Sequence, residues 1–351
     1  MSHQKQIQKR IIVITTLAVF TVVMFFVCLF LGSSKMSLAE GIKALFGQST
    51  NANNRIIQNI RLPRVIAATV AGAGLAVAGL IMQTTLGNIM ASPSTLGVSN
   101  AAVFGANLSM IGFSGGFLAL GATATDKLNS FNPFAVSLVA FLFAAASVLL
   151  VLGLCKFKNF SPATIVLAGI AIGAIWTAGT TILQFFATDV GLSAAVIWSF
   201  GDLGRATFAQ DYIMIAVVGV ALVVFFLLSW RFNAMLGGDA VAISSGVNVN
   251  ALRFFALLLS SLITAVCVSF LGVIGFVGII CPHVVKKLLG HNHLVTIPAS
   301  ALTGSLLLLV ADTISRSFAG GTALPVGAIT SLLGAPFFLF MLFSKKEVSR
   351  A

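Results

Sequence analysis

Long apolar runs of nearly uniform length alternate with short polar breaks along the 351 residues. A helix needs about 20 mostly apolar residues to cross the hydrocarbon core of a bilayer. On that measure the chain predicts ten spans, near 11–31, 64–83, 95–118, 133–154, 164–187, 212–230, 251–271, 273–289, 297–317 and 325–344. The eighth opens on "GVIGFVGII" (272–280), whose glycines predict a short or broken helix. Two polar breaks are long enough to fold at a membrane surface. Residues 32–62 hold "MSLAEGIKALFG", which reads as a short amphipathic helix, and residues 231–250, "RFNAMLGGDAVAISSGVNVN", read as another. In the second, Gly237 and Gly238 precede one or two helical turns, Asp239 and Ser244 lie within them, and Gly246 suits a left-handed cap.

Composition turns the pattern into a class. Hydrophobic residues make up 58% of the chain and charged residues 8%, against about 25% charged in a soluble domain. That is too little charge to coat a globule of this size. The expected architecture is an all-α polytopic membrane protein, one transmembrane domain over 1–351. The 33 glycines agree, because helices in lipid associate by close backbone approach at small residues, as "VAGAGLAVAGL" (70–80) permits. Gly169 and Gly173, four apart in the fifth span, suit the same use.

The net charge of +12 does not point to nucleic acid, because the basic residues sit singly or in pairs between apolar runs with no basic face. They act as topology signals. An even number of spans puts both termini on one side, and a cytoplasmic placement gives twelve basic residues inside: Lys5, Lys9, Arg10, Lys156, Lys158, Arg231, Arg253, Lys286, Lys287, Lys345, Lys346 and Arg350. Eight lie outside, Lys35, Lys43, Arg55, Arg61, Arg64, Lys127, Arg205 and Arg316, an order that obeys the positive-inside rule but leaves an outer excess to explain. Lys5, Lys9 and Arg10 precede 21 apolar or small residues, Ile11 to Leu31. This run exceeds the roughly 7–15 residues of a signal-peptide core, so an uncleaved first span is expected.

Chemistry is sparse. The four cysteines show no CxxC spacing, and there is no GxxxxGK[ST], HExxH, nucleophile elbow or acidic cluster. Neither catalysis nor a bound cofactor is expected of this chain. His283, His291 and His293 read as part of a solvated cytoplasmic loop rather than a metal site. Asp312 differs: it lies inside "LLLLVADTISRS", where a charge is costly and function is the first suspicion. Arg316, one turn on, could neutralise it, so a local ion pair and a transport role both stand. The alternative function, a secondary transporter driven by an ion gradient, would need several intramembrane acids or unwound helix ends, and only Asp312 qualifies in this reading.

Four segments and a tail carry a resemblance: "RLPRVIAATVAGAGLAVAGLIMQTTLGNIMASPSTLGVSNAAVFGA" (61–106), "LAGIAIGAI" (167–175), "GDAVAISSGVNV" (238–249), "GVIGFVGIICPHVVKKLLGHNHLVTIPASALTGSLLLLVADTISR" (272–316) and "LPVGAITSLLGAPFF" (324–338). In this order they resemble the FecCD family, the permeases of ABC importers for iron siderophores, haem and cobalamin, over about 55–344. The resemblance implies the type II ABC importer permease fold in a bacterial cytoplasmic membrane. It also implies a homodimer or paralogous heterodimer on two ABC ATPase subunits, which bind the ATP and magnesium, with an extracytoplasmic substrate-binding protein outside. By motif match Arg61, Arg64 and Arg316 would receive acidic residues of that binding protein, the rival reading being anchorage at the headgroups and pairing with Asp312. Gly237, Gly238, Asp239, Ser244 and Gly246 would form the loop that couples to the ATPase, and the span of Gly169 and Gly173 would line the pathway. The sequence departs from the family's usual "RNPLADP" at "GNIMASP" (87–93), and Ala240 and Ile243 replace an acid and an arginine of the coupling loop.

Overall fold

The computed structural model describes residues 3–32, 36–113, 132–156, 161–317 and 324–343, and among these every regular element is helical. Lys35, Lys127, Lys158, Lys345, Lys346 and Arg350, and the end of the third span (114–118), lie outside the described residues. Helix α1 is His3–Phe30, α2 Leu38–Leu45, α3 Asn51–Arg55, α4 Leu62–Thr85, α5 Val98–Asn107 and α6 Pro133–Lys156. Then follow α7 Pro162–Phe185, α8 Asp189–Ser199, α9 Phe208–Leu227, α10 Ser229–Met235 and α11 Asp239–Ser244. The last are α12 Val249–Leu271, α13 Val277–Leu289, α14 His293–Ser317 and α15 Val326–Phe343. Among the described residues seven helices are long and apolar enough to cross a membrane, and the third, eighth and tenth expected spans form shorter ones. A π-helical turn, Ile56–Arg61, joins α3 to α4 without a break.

Helix α4 is the axis. It packs against α14, α12, α13 and α9, and most of its residues are buried. An all-round apolar helix belongs in the middle of a bundle, and glycine lets its neighbours come close. A Cβ on Gly72 would fall on the backbone of Gly304 in α14, and one on Gly79 on the backbone of Gly278 in α13. Backbone contact of this kind is what holds helices together where lipid removes the hydrophobic drive between them. The two ends of the bundle are called here the α2 end, which holds the start of α4, and the α11 end, which holds its finish.

Three non-helical breaks meet beside this axis. Gly272 (φ 78°) ends α12 and Phe276 (φ 66°) starts α13, as the glycine-rich run predicts. The Asp202 N–H donates to Leu271 O (2.7 Å) and the Val326 N–H to Gly201 O (3.0 Å), so the breaks before α9, α13 and α15 satisfy one another. Irregular backbone at membrane depth survives only when buried in protein in this way. Helix α8 was not expected from the sequence, where 188–211 reads as an outer loop. It starts on a Thr188 cap whose hydroxyl accepts from the Gly191 N–H.

Candidate functional site

At the α2 end, Asp312 is fully buried. Its Oδ1 accepts from Arg64 Nε at 2.6 Å, and Arg316 Nε stands 3.0 Å from Oδ2, the one-turn pair expected from the sequence. Arg64 also lies 3.9 Å from Asp202, whose Oδ1 accepts the Gly204 N–H. Burial strengthens such a cluster, because the low local dielectric screens it weakly.

The other arginines of this end serve as helix caps. Helix α1 has no basic residue in its last turn, and its final carbonyls lack intrahelical donors. Arg61 donates to Phe30 O (2.8 Å) and Leu29 O (3.3 Å), and Arg316 donates to Cys28 O (2.9 Å) and Leu31 O (3.0 Å). Arg205 repeats the device on α8, donating to Ile197 O (2.7 Å) and Trp198 O (2.8 Å). Cations at helix C-termini also meet the negative end of the dipole. These placements concern Arg61, Arg64 and Arg316, the three arginines expected to meet a binding protein. Arg61 and Arg64 are buried, and all three guanidiniums point into carbonyls or carboxylates of the chain itself. Among the described residues, Lys43 and Arg55 are the exposed cations of the 36–64 segment.

At the α11 end, the short helix expected after Gly237 and Gly238 forms. Gly238 (φ 91°) precedes it and Gly246 (φ 80°) follows it, both in the region that favours glycine. Ser244 lies in its last turn and donates to Val241 O (2.9 Å). Asp239 starts the helix and binds Arg253 NH2 with both oxygens, at 2.8 and 3.0 Å. Arg253 Nε donates to Thr85 O at the end of α4 (2.8 Å). Beside them, His293 is completely buried, not part of a solvated loop. Its backbone N–H and Nδ1 both lie 2.8 Å from Asn233 Oδ1, so Nδ1 carries the proton and Nε2 faces the Thr84 hydroxyl at 2.9 Å. Spacing along the chain gave no hint of this, because Asn233 and Thr84 are remote in sequence. No group of three metal-ligating side chains occurs among the described residues.

Gly169 and Gly173 do not face the open side of α7. A Cβ on Gly169 would lie 2.8 Å from Leu96 Cα, and one on Gly173 3.2 Å from the Asn100 amide, which donates to Gly173 O. They allow close packing on the 93–97 turn and α5. The exposed face of α7 is instead Leu167, Ile170, Ile175 and Ile182. A second intramembrane acid was also missed. Asp211 falls in the first turn of α9, is 1% exposed, and has no hydrogen-bond partner for either oxygen among the described groups. Placing the span from residue 212 put it in the preceding loop.

The model of the FecCD transport family matches residues 20–344. A Methanocaldococcus jannaschii protein bearing the name ABC transporter permease is 43% identical, with 95% of each chain covered. The hemin transport system permease protein of Yersinia pestis is 34% identical over 92% of this chain and 93% of its own. A solved structure described as an inward-facing conformation of a metal-chelate type ABC transporter matches with a TM-score of 0.78. It covers 95% of this chain and 99% of that one, and at 24% identity it speaks to the fold alone.

Proposed function

The chain belongs to the FecCD transport family, and from that premise we propose that it forms the membrane path of an ABC importer for a metal chelate. The substrate proposed is an iron–siderophore-type complex, with haem and cobalamin as chemically related cargoes. The chain itself hydrolyses nothing. A separate ABC ATPase supplies the work, a second permease subunit completes the path, and a binding protein outside delivers the cargo. Both termini then face the cytoplasm, and the α11 end is the cytoplasmic end.

The observation that carries this reading is α11. A bundle that only shuttled ions would have no use for a capped two-turn helix at its end showing apolar side chains to water. Val241 is 50% exposed and Ile243 63%, while Ala242 alone is buried beneath. Such exposed apolar side chains suit a protein partner. Among the described residues of the 36–64 segment, the exposed Lys43 and Arg55 add charge that can steer an acidic partner. Among the described residues Asp211 brings the number of buried acids in the spans to two with Asp312, but Asp312 is already neutralised by arginines.

Co-purification tests the proposal. The chain co-expressed with its ATPase should retain that subunit through detergent extraction and stimulate its ATP hydrolysis. The chain alone should hydrolyse none. Hydrolysis by the isolated chain, or failure to retain any ATPase, would overturn the assignment of roles.

A further inference from the structure

Three consecutive residues at the end of α4 each reach a different element. The Gln83 amide donates to Gly278 O in α13 (3.2 Å), and its carbonyl accepts from Lys286 (2.9 Å). The Thr84 hydroxyl meets His293 of α14, itself held by Asn233 of α10. The Thr85 carbonyl, one of the last of the helix and without an intrahelical donor, takes Arg253 Nε at 2.8 Å. The same guanidinium grips Asp239, the first residue of α11, at 2.8 and 3.0 Å.

Arg253 thus touches the first residue of the exposed helix and the last residue of the central one. A guanidinium does this with rigid geometry, since its donors lie in one planar fork; an ammonium is a point charge on a flexible stem, with no fork to hold the two ends in register. Arg253 is 3% exposed whereas the Asp239 side chain is 51% exposed, so the bridge runs from solvent into the core. Beyond it, α4 is packed along its length, with Gly72 and Gly79 in backbone contact with α14 and α13. A packed interior passes on displacement instead of absorbing it. At the far end, Arg64 of the same helix holds Asp312 of α14.

We propose that the Asp239–Arg253–Thr85 bridge carries movement of α11 into α4, which makes Arg253 a positioning residue of the transport cycle. The proposal rests on the reading of α11 as the ATPase contact. The bridge transmits only displacement, so breaking it separates ATP hydrolysis from uptake without removing the ATPase.

The test uses the complete transporter in proteoliposomes, with ATPase retention, hydrolysis rate, iron-chelate uptake and melting temperature read together. Asp239→Asn and Arg253→Lys should keep the ATPase and its hydrolysis. Each should import about tenfold less per ATP, the scale of losing one charge-assisted hydrogen bond. The reversed pair, Asp239→Arg with Arg253→Asp, restores an ion pair but leaves Thr85 O without its donor, so its uptake should stay low. Normal uptake per ATP in Arg253→Lys, or full recovery in the reversed pair, would overturn the bridge. Loss of the ATPase from Asp239→Asn would also overturn it, by making Asp239 a direct contact. Should Arg253→Lys fail to fold, the half-exposed Asp239→Asn decides. A wild-type assembly that retains no ATPase defeats the α11 reading itself and is thereby told apart from a failed bridge.

Discussion

Asp312 has no exposure and two arginines within 3.0 Å, so Asp312→Asn leaves the buried Arg64 and the partly buried Arg316 facing a neutral amide. Breaking a buried ion pair from one side costs about 3–5 kcal/mol, mostly through the charge left behind. Asp202, with its side chain 44% exposed and 3.9 Å from Arg64, is a solvated partner. Its neutralisation is expected to change stability by under about 0.5 kcal/mol. Thermal melts of the two variants in detergent should therefore separate clearly, and equal melts would refute the buried cluster. The Arg316 half of this cluster was legible in the sequence from the one-turn spacing. The Arg64 half was not, because 248 residues separate it from Asp312. The arginine caps on α1 and α8 were equally hidden: they bind backbone carbonyls, which every residue has, so no residue pattern announces them.

At the scale of elements, eight of the ten apolar runs end within about four residues of a helix boundary on each side, because lipid leaves length as nearly the only variable, and the first falls short because α1 begins at His3, in the polar residues before Ile11. The third run is described only to Phe113. The missed element, α8, is short and follows another apolar stretch, where periodicity cannot mark a start. Glycines separate into two kinds with opposite expectations. A Cβ at Gly79 collides with the Gly278 backbone, so Gly79→Val must part α4 from α13, at about 1–3 kcal/mol for overpacking. Gly246 has nothing within 4 Å of its missing Cβ but a φ of 80°. Gly246→Val there should cost about 1–2 kcal/mol in backbone conformation alone. The first variant should lower the melting temperature of the bundle, and the second should leave the bundle intact but weaken ATP-driven uptake. At the other end, Ser37 and Glu40 cap α2 reciprocally. The Ser37 backbone N–H, then its hydroxyl, hold the Glu40 carboxyl below the ordinary glutamate value. A lowered folded-state value means the cap contributes fully at neutral pH and is lost as pH falls through that value. Amide exchange across α2, corrected for its intrinsic pH dependence, should quicken on acidification, and Glu40→Gln should abolish most of that change.

For the whole molecule, the two polar clusters lie at opposite ends of one central helix, with backbone-tight glycine contacts between them. The sequence located both ends through Asp312 and through the Gly237–Gly246 segment, but it could not show that α4 joins them. That connection is made by side chains of α4, α12 and α14 whose partners are distant in sequence. Such an architecture suits a passive body moved from one end, and the central claim is that ATP hydrolysis on a separate subunit moves it. Initial rates of iron-chelate uptake test this most directly, in proteoliposomes carrying the chain and its ATPase, with binding protein outside and nucleotide inside. Uptake should require ATP and persist when ionophores abolish the proton and sodium gradients. Uptake that proceeds without ATP and collapses with either gradient would contradict it.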